Sequence, residues 1–464
     1  MKPITIQDIR RATGARLLAP PPADPPIVEA ISTDSRAAPP NSLFVAIPGE
    51  KFDGHDFVAA AAGRGAVAAI VERSIDPPPD RCMLLKVDSA RAALGKLGRL
   101  VREQLRPKVK VIAVAGSNGK TGTKHLIDSA LSPSLSGTIS PKSFNNDIGV
   151  PTTVFAARAT DDYLVLEMGT NHPGEIRALT HIGAPDIAVI TNCGPEHLEF
   201  LGSVDGVRRE NASIIEGLNP RGLLVVNGDD RALLEAVREY PGRRVTFGFD
   251  RANDLFASDV ETGDMGVSFR LNGSRQQQCF VPLLGRHTAC NALAAIAVAR
   301  RLGLDEQRIR EALAHASGPE MRLQMQEICG VRVLNDAYNA NPASMAAAID
   351  TFASLSAAGR KIMVLGDMLE LGPDEAAHHR DVGTLAAGAK PDLIVCVGDR
   401  SKSTADAATR AGIAASAIRW YADARAAAAE VPMLVREGDL LLLKGSRGIR
   451  LEEIAKAMAM KAAA

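Results

Sequence analysis

Apolar and polar positions divide the chain into short buried strands and amphipathic helices, which alternate over most of its length. In the middle of the chain, continuous apolar runs occupy residues 109–115, 163–167, 187–192 and 223–227. Runs of this kind are typical of strands that are buried on both faces of a sheet. Because helical patterns separate them, they predict βαβ units and a mostly parallel sheet.

The last part of this central region has a different pattern of apolar and polar positions. Residues 243–281 alternate polar and apolar positions, which predicts an antiparallel extension of the sheet. A helix predicted at 291–302 closes the region. The turn Ser317-Gly318-Pro319 then marks a candidate hinge, because Gly and Pro interrupt regular structure.

Two further regions flank the central one. Before it, the pattern predicts strands at 42–47, 67–71 and 83–87 and a helix at 91–104, with Arg106-Pro107 as a second candidate hinge. After it, strands are predicted at 331–335, 361–365, 392–397 and 439–443, separated by Ala-rich helices. We therefore expect an α/β protein of three domains, here called the N-terminal block (1–107), the central block (108–315) and the C-terminal block (316–464).

Composition supports several domains and excludes some function classes. A chain of 464 residues is too long for one ordinary core, and 46% hydrophobic with 23% charged residues is typical of globular proteins. Lys plus Arg equals Asp plus Glu, at 54 each, so no bulk charge attracts nucleic acid or anionic membranes. The six scattered cysteines include no C-x-x-C pair, so neither a disulfide framework nor a zinc site is expected.

Targeting signals are not recognisable in the sequence. The first residues carry charges where a signal peptide would need its apolar core. No apolar run reaches the length of about 18 residues that a membrane-spanning helix requires. We therefore expect a cytoplasmic protein without a membrane span.

One apolar strand runs into a glycine-bearing turn, residues 116–121, that reads Gly-Ser-Asn-Gly-Lys-Thr. Its glycines let backbone amides approach a phosphate, Lys120 adds a cation, and Thr121 offers a hydroxyl to Mg²⁺. A helix predicted at 123–131 directs its positive N-terminus at the same anion. The spacing is G-x-x-G-K-T, since Val114 stands where the longer phosphate-loop motif has its first Gly. The segment predicts binding of a nucleotide phosphate.

Polar residues follow two strands that are expected to neighbour this turn. Glu167 ends the strand 163–167, and His197 follows the strand 187–192. Ligands of open α/β sheets bind at the carboxyl ends of strands, so Glu167 is placed to hold Mg²⁺ or to orient a nucleophile. His197 is a second candidate. The alternatives are a solvated strand terminus for Glu167 and a structural role for His197.

Three more turns carry side-chain amides or cations. Asn145 and Asn146 lie in the segment SFNNDIGVP, residues 335–345 read NDAYNANPASM, and Lys444 and Ser446 follow the last strand. Such donors at strand ends suit a carboxylate or a phosphate. For the first two segments, an ordinary turn is the alternative.

Together these motifs resemble those of the Mur ligase family of bacterial cell-wall synthesis, in the expected order and over nearly the whole chain. STDSR and FVAIPGEKFDGHDF resemble its uridine-nucleotide domain. AGSNGKT, SFNNDIGVP, LEMGTNHPGEI, EHLEFLGS and GRHTACNALAA resemble its ATPase domain, and NDAYNANP, GDMLELG and KGSR its C-terminal domain. The resemblance implies a UDP-sugar-binding N-terminal block, a phosphate-loop ATPase as the central block and a Rossmann-like ligase domain as the C-terminal block.

The resemblance also implies a reaction. ATP with Mg²⁺ would phosphorylate the terminal carboxylate of a UDP-sugar peptide, and an amine would attack the acyl phosphate with loss of phosphate. The YNANP form discriminates best among family members, and it favours UDP-N-acetylmuramoyl-tripeptide and D-alanyl-D-alanine as the two substrates. We expect a monomer that binds no nucleic acid and whose C-terminal block closes over ATP before chemistry.

Individual residues acquire roles by the same resemblance. Lys120 would neutralise charge on the transferred group, Thr121 and Glu167 would hold Mg²⁺, and His197 would hold a second metal. The implied nucleotide contacts are Gly116, Ser117, Asn118, Gly119, Lys120, Thr121, Asn291, Arg322, Asp336, Tyr338 and Asn339. The implied substrate contacts are Ser35, Arg36, Asn145, Asn146, Lys444 and Ser446.

One position departs from the family pattern. The family has a carbamylated lysine shortly after the His, and Asn211 stands there in this chain. No lysine occurs between Ser143 and Arg360, so no neighbour can substitute. Our hypothesis is that an exogenous anion such as chloride takes the place of the carbamate, held by the Asn211 amide and Mg²⁺. The alternative is that Glu210 or water fills the role.

Two other functions remain open from the sequence. The first is a different amide ligase of the same fold, such as another Mur-type or a folylpolyglutamate-type enzyme, although residues 1–107 argue against the latter. The second is a nucleotide-binding regulatory or scaffold protein that has lost catalysis, which the departure at Asn211 suggests.

Overall fold

The computed structural model of the protein describes residues 1–463, and each of the three blocks contains its own sheet. Helices lie between the strands in all three blocks. The α/β class predicted from the alternating pattern is therefore confirmed. Among residues 1–463, none of the helices combines the length and the apolar character that a membrane span requires.

The N-terminal block is built from short strands and three α-helices. Its strands are β1 (Ile4–Thr5), β2 (Arg16–Leu17), β3 (Ile27–Val28), β4 (Ala30–Ser32), β5 (Ser42–Val45), β6 (Ala66–Val71) and β7 (Met83–Lys86). Its helices are α1 (Ile6–Thr13), α2 (Val58–Gly63) and α3 (Ala90–Leu105). β1 pairs with β3, and the other strands form a sheet in the order β2-β7-β6-β5-β4, in which only β2 runs antiparallel to its neighbour.

The central block contains the largest sheet. Its strands are β8 (Lys110–Ala115), β9 (Gly137–Ile139), β10 (Tyr163–Glu167), β11 (Ile187–Ile190), β12 (Leu223–Asn227), β13 (Arg243–Gly248), β14 (Leu255–Gly263), β15 (Gly266–Leu271) and β16 (Gln278–Val281). Its helices are α4 (Lys120–Leu131), α5 (Gly149–Ala156), α6 (Glu175–Gly183), α7 (Leu198–Leu201), α8 (Val204–Ala212), α9 (Arg231–Ala236), α10 (His287–Arg301) and α11 (Glu306–Leu313). The strand order is β16-β15-β14-β13-β12-β11-β8-β10-β9. The strand β8, which precedes the glycine-bearing turn 116–121 (here called the phosphate loop), therefore lies inside the sheet.

Both faces of the central sheet are covered, which explains the continuous apolar runs. In β8, Val111 and Ala113 pack into the core on one face, and Ile112 and Val114 into the core on the other. Helices α4, α10 and α11 cover the second face, while α3, α5 and α6 cover the first. A helix of the N-terminal block therefore completes the core of the central block.

The joint at Arg106-Pro107 is packed, where the sequence predicted a hinge. Arg102 of α3 is fully buried and donates to Asp186 Oδ2 at 2.7 Å and to Gly183 O at 3.0 Å. Burial lowers the pKa of its guanidinium, and the Asp186 carboxylate opposes that shift. The hydrogen bonds of this buried cation fix α3 against the central sheet.

The segment 243–281 differs in part from the antiparallel extension expected of it. β13 runs parallel to β12, and β14 first meets β13 in parallel. Only the pairs β14–β15 and β15–β16 are antiparallel. Polar–apolar alternation reports that one face of a strand is exposed, and it does not report the direction of pairing. The helix expected at 291–302 begins earlier, at His287, where no side chain caps it.

The C-terminal block has one sheet between helices. Its strands are β17 (Gln324–Ile328), β18 (Val331–Asp336), β19 (Lys361–Gly366), β20 (Leu393–Val397), β21 (Ile418–Tyr421) and β22 (Leu440–Lys444), in the order β17-β18-β22-β19-β20-β21. Its helices are α12 (Pro342–Ser354), α13 (Glu375–Gly388), α14 (Lys402–Arg410), α15 (Ala424–Leu434) and α16 (Glu452–Ala463). All pairs except β17–β18 are parallel. The carboxyl ends of β18 and β22 meet the carboxyl ends of β8 and β10 across a cleft.

Candidate active site

A cleft of about 1020 Å³ lies between the central and C-terminal blocks, at the carboxyl ends of their parallel strands. Most of the site residues predicted from the sequence line it. They are Ser117, Asn118, Gly119, Lys120, Thr121, Asn145, Asn146, Glu167, His197, Asn291, Arg322, Asp336, Tyr338, Asn339 and Lys444. The fold therefore brings residues that are more than 300 positions apart into one space, as Ser117 and Lys444 show.

The phosphate loop requires glycine at two positions. Gly116 and Gly119 have φ angles of 126° and 83°, in the region that favours glycine. A Cβ on Gly119 would lie 2.7 Å from Asn291 Oδ1, and one on Gly116 would collide with Thr191 Oγ1. Both the backbone conformation and the space around the turn therefore exclude larger residues.

Asn192, after β11, holds the same loop from the neighbouring strand. Its Oδ1 accepts from the Asn118 N–H at 3.0 Å, and its Nδ2 donates to Asn118 O at 2.8 Å. Thr191 Oγ1 donates to that carbonyl as well, at 2.6 Å. With the loop fixed, the N–H groups in the first turn of α4, which have no partner within the helix, face the cleft as an anion site.

Lys120 adds a full positive charge to this helix terminus. Its Nζ lies over the loop, where it donates to Ser117 O at 3.0 Å and to Gly116 O. The Glu196 carboxylate is 3.9 Å away. The ammonium and the N-terminal end of α4 together create a positive pocket of the kind that binds phosphate groups.

Glu167 ends β10 with its side chain only 1% exposed, and two side chains hold it. Asn145 Nδ2 donates to Glu167 Oε1 at 3.1 Å, and Lys124 Nζ lies 3.1 Å from Oε2. Lys124 is buried on α4 and also donates to Ser140 O at 2.9 Å and to Lys142 O. Burial lowers the pKa of Lys124, and the nearby Glu167 charge opposes that shift. In this structure Asn145, predicted as a substrate contact, positions Glu167.

Two buried oxygens beside the phosphate loop, Thr121 Oγ1 and Glu196 Oε1, have no hydrogen-bond partner among the described residues, and Glu167 Oε2 has the Lys124 ammonium at 3.1 Å. Hydroxyl and carboxylate oxygens are the ligands that Mg²⁺ prefers, and Mg²⁺ commonly completes its shell with water and nucleotide phosphates. Nowhere in residues 1–463 do three His, Cys, Asp or Glu side chains form a group that could hold a metal alone. The donor set therefore fits a Mg²⁺ ion that is shared with a nucleotide.

His197 directly precedes α7 and reaches the opposite wall of the cleft. Its Nδ1 lies 2.5 Å from Glu370 Oε2 of the C-terminal block, and its Nε2 lies 4.0 Å from Glu196 Oε2. A second contact between the blocks joins Asn341 Nδ2 to Asn118 Oδ1 at 2.9 Å. The C-terminal block is thus closed on the central block close to the phosphate loop.

The C-terminal wall of the cleft carries cations and an aromatic face. Lys444 Nζ lies 2.7 Å from Asp336 Oδ2 and donates to Asn339 O at 2.7 Å. Burial lowers the pKa of Lys444, and Asp336 opposes that shift. The Arg322 guanidinium lies 4.3 Å from the centre of the Tyr338 ring, in the range of a cation–π contact. A ring face beside two cations suits a nucleotide base and its phosphates.

Four predicted residues lie outside the lining of the cleft. Gly116 shapes the loop without lining it, and Ser446 lines a neighbouring pocket of about 160 Å³. Ser35 and Arg36 belong to the N-terminal block, where Arg36 forms an ion pair with Asp34 at 2.9 Å. The hydrogen bond from that guanidinium lowers the pKa of Asp34 to about 2.

Asn211 and Glu210 lie on α8 and are absent from the described residues that line the cleft. Asn211 is buried, and its Nδ2 donates to Val207 O at 3.0 Å. The Glu210 carboxylate accepts from the N–H groups of Gly174 at 2.7 Å and Ile176 at 2.8 Å, at the start of α6. Because its oxygens serve that helix terminus, Glu210 is poorly suited to replace a carbamate. The anion hypothesis stays a prediction.

Sequence reasoning missed four side chains that shape the site: Lys124, Asn192, Glu196 and Glu370. Two had a usable signal, because Lys124 lies one helical turn after Lys120 and Glu196 directly precedes His197. Asn192 was assigned only to a strand. Glu370 lies in the motif GDMLELG, but its contact with His197, 173 positions away, has no local signal.

Comparison with known families covers most of the chain. Residues 27–102 match the Mur ligase family, catalytic domain, and residues 114–299 match the Mur ligase middle domain. Residues 321–447 match the Mur ligase, glutamate ligase domain. UDP-N-acetylmuramoyl-tripeptide–D-alanyl-D-alanine ligase from Bacillus subtilis (strain 168) is 36% identical over 440 residues, which cover 95% of each chain.

Solved structures of Mur ligases are similar to this chain in fold as well. A crystal structure of MurF from Acinetobacter baumannii superposes with a TM-score of 0.87 at 33% identity and covers 99% of both chains. MurF ligase from Thermotoga maritima, in complex with ADP, superposes with a TM-score of 0.80 at 27% identity, over 94% of this chain and 98% of that one. The similarity therefore extends over all three blocks.

Proposed function

The chain belongs to the Mur ligase family, and we propose that it is the ATP-dependent ligase that joins D-alanyl-D-alanine to UDP-N-acetylmuramoyl-tripeptide. The product is the UDP-N-acetylmuramoyl-pentapeptide used in peptidoglycan synthesis. One observation carries the proposal. A phosphate loop, unpaired buried oxygens and a cationic wall line a single cleft, in a chain that aligns with a ligase of this name over 95% of its length.

In the first half of the reaction, an oxygen of the tripeptide's terminal carboxylate attacks the γ-phosphorus of ATP. The bond from that phosphorus to the β–γ bridging oxygen breaks, which gives an acyl phosphate and ADP. Catalysis of such a transfer consists mainly of positioning and charge stabilisation. Lys120 and the N–H groups at the start of α4 supply positive charge to the phosphates, while Lys444 and Arg322 supply it from the C-terminal wall.

In the second half, the amine nitrogen of D-alanyl-D-alanine attacks the carbonyl carbon of the acyl phosphate. The resulting tetrahedral intermediate expels phosphate, and the nitrogen loses a proton to leave an amide. An acyl phosphate is hydrolysed if water reaches it, so a closed cleft protects it. The contacts of Asn341 with Asn118 and of Glu370 with His197 support this closure.

Mg²⁺ is part of the proposal. Thr121 and Glu167 would hold one ion and His197 a second, and Glu196 adds a candidate ligand, since Thr121 Oγ1 and Glu196 Oε1 are buried without a hydrogen-bond partner among the described residues. When bound, Mg²⁺ neutralises charge on the phosphates and on the reacting acyl oxygen. The Lys124 ammonium and the Asn145 amide keep the Glu167 carboxylate in place for that role.

The remaining assignments follow the resemblance of individual motifs. We assign binding of the UDP-sugar to the N-terminal block with Ser35 and Arg36, and to Asn146. Asn146 Oδ1 accepts from the Gly149 N–H at 2.9 Å, so the side chain is fixed by one end while the residue lines the cleft. The proposed domains are 1–107, 108–315 and 316–464, in a cytoplasmic monomer.

The test is release of ADP from ATP with defined pairs of substrates. We expect ADP release that depends on both UDP-N-acetylmuramoyl-tripeptide and D-alanyl-D-alanine, and none above background with a folate and glutamate. Comparing tripeptides with meso-diaminopimelate or Lys as the third residue identifies the natural donor. Turnover with the folate pair, or ADP release that ignores the dipeptide, would refute the proposal.

A further inference from the structure

Glu370 and His197 meet across the closed cleft, and both have an uncommon backbone conformation. The φ angle is 63° at Glu370 and 48° at His197, in the left-handed region. Residues other than glycine keep such angles only where surrounding contacts impose them, and such residues cluster at functional sites. His197 and Glu370 are two of thirteen such residues in the described part of the chain, and these two meet across the boundary between the central and C-terminal blocks.

The turn that carries Glu370 is fixed from within the C-terminal block. The Met368 N–H donates to His379 Nε2 at 3.0 Å, and the Leu369 N–H donates to Ser446 Oγ at 3.0 Å. Leu371, on the other side of Glu370, is buried. The carboxylate is therefore presented by a rigid turn, even though 42% of the Glu370 side chain is exposed.

The two ring nitrogens of His197 have different surroundings. Nδ1 lies 2.5 Å from Glu370 Oε2, which is its hydrogen-bond partner in the described part of the chain. Nε2 is directed toward the cleft, 4.0 Å from Glu196 Oε2. A carboxylate at Nδ1 fixes the proton there and leaves the Nε2 lone pair directed at the cleft.

We propose that Glu370 is a positioning residue for His197 and that closure of the C-terminal block supplies it. In the closed cleft, the carboxylate holds the imidazole in the Nδ1–H tautomer and leaves Nε2 free to bind the metal ion that the proposed function assigns to His197. When the block opens, His197 loses this acceptor. The inference rests on the proposed function for the reaction that His197 serves, whereas the tautomer can be measured without turnover.

A second contact between the two blocks makes it possible to distinguish positioning of His197 from closure of the cleft. Asp264 lies in the hairpin between β14 and β15 and accepts from Arg332 Nη2 at 3.0 Å and from the Ser356 N–H at 3.2 Å. It joins the same two blocks without contacting His197. If Glu370 served only to hold the blocks together, loss of either carboxylate would have the same consequences.

The experiment compares Glu370→Ala, Glu370→Gln and Asp264→Ala in the full chain. Gln keeps a carbonyl oxygen that can accept the Nδ1 proton. Ala and Gln must both adopt the φ angle of 63° at this position, so Glu370→Gln is the matched control for Glu370→Ala. The first measurement is long-range ¹H–¹⁵N NMR of ¹⁵N-histidine-labelled, metal-free protein at pH 9, with and without ADP. His197→Asn assigns the signal. The second is steady-state ligation, from which kcat and the KM for ATP are obtained.

We expect the wild type, Glu370→Gln and Asp264→Ala to show the Nδ1–H tautomer with ADP, and Glu370→Ala to lose it. Loss of a carboxylate that orients a metal-ligating histidine typically costs about 10–100-fold in activity, so kcat of Glu370→Ala should fall by about that factor, with KM for ATP within about two-fold. Glu370→Gln should recover most of kcat.

Two results would overturn the inference. One is a Glu370→Ala protein whose His197 tautomer matches the wild type with and without ADP. The other is an equal loss of kcat in Glu370→Ala and Asp264→Ala. If the wild type showed the Nδ1–H signal but no ligation, the proposed function would fail while the positioning of His197 by Glu370 would stand.

Discussion

Lys124 Nζ lies 3.1 Å from Glu167 Oε2, and neither side chain is more than 1% exposed. The pair ties α4, which begins at the phosphate loop, to the end of β10. Breaking a buried ion pair by removing one partner is strongly destabilising, because the other charge stays buried and uncompensated. Lys124 is therefore the counter-charge that keeps an anionic Glu167 at the wall of the cleft.

The first prediction concerns this pair. Lys124→Met should lower the free energy of unfolding by about 3–5 kcal/mol, since Glu167 loses its buried counter-charge. Urea denaturation followed by circular dichroism measures the change. The control is Lys456→Met, at an exposed position of α16, which should change the free energy by no more than about 0.5 kcal/mol. Similar values for the two variants would contradict the role given to Lys124.

Lys120 provides a prediction about catalysis. Lys120→Ala should lower kcat at least about 100-fold, because it removes a cation directed at the transferred phosphoryl group. Its thermal unfolding should stay close to that of the wild type, since the Lys120 side chain donates to loop carbonyls and its nearest carboxylate, Glu196, is 3.9 Å away. Lys108→Ala, at an exposed position before β8, is the control for charge. Unchanged ligation by Lys120→Ala would refute the assignment of the phosphate loop.

Gly119 tests the shape of the loop. Gly119→Ala should weaken ATP binding at least about tenfold, because the new Cβ would lie 2.7 Å from Asn291 Oδ1 at a φ angle of 83°. Fluorescence titration with an ATP analogue measures the dissociation constant. Gly388→Ala, at the end of α13, meets no atom within 4 Å and should leave that constant unchanged. Equal affinities of all three proteins would contradict the described geometry.

His379 makes stability depend on pH. Burial lowers its pKa below the ordinary histidine value of about 6.5, so the folded protein resists protonation where the unfolded chain accepts it. The contribution of neutral His379 to the free energy of unfolding is fully present above about pH 6.5. It is lost as the pH falls toward the pKa of His379 in the folded state. The same direction applies to His125 and His287, whose pKa values burial also lowers.

The corresponding measurement is the free energy of unfolding at pH 7.5 and at pH 5.5. The wild type should be less stable at the lower pH, and His379→Gln should lose about 1 kcal/mol less between the two values, because one proton contributes at most about 1.4 kcal/mol per pH unit. His315→Gln, at an exposed position, should keep the wild-type dependence. A His379→Gln protein with the wild-type slope would show that the linkage is wrong.

Much of the central sheet could be predicted because its strands are buried on both faces. The strands β10 and β12 begin and end at the predicted residues, 163–167 and 223–227. The edge strands β17 and β21 were missed, since each lies at the margin of its sheet and carries polar or exposed residues. The short edge strand β9 was missed as well. An apolar pattern identifies burial, and edge strands have little of it.

In the site, too, some features are encoded in one segment of the sequence, and others depend on contacts between distant residues. The phosphate loop is a contiguous segment whose chemistry is set by Gly116, Gly119, Lys120 and Thr121, so its position follows from the sequence. The contact of His197 with Glu370 depends on how two blocks pack, and no local pattern encodes it. The sequence motifs therefore indicate candidate site residues segment by segment, whereas the contact between the two blocks is seen only in the structure.

In the proposed reaction, the chain activates a carboxylate as an acyl phosphate before the amide forms. The most direct measurement uses UDP-N-acetylmuramoyl-tripeptide labelled with ¹⁸O in its terminal carboxylate, together with ATP and D-alanyl-D-alanine. Mass spectrometry then follows the label. We expect a single labelled oxygen to move into the released phosphate for each amide formed. Ligation that leaves the phosphate unlabelled, or no ligation at all, would contradict it.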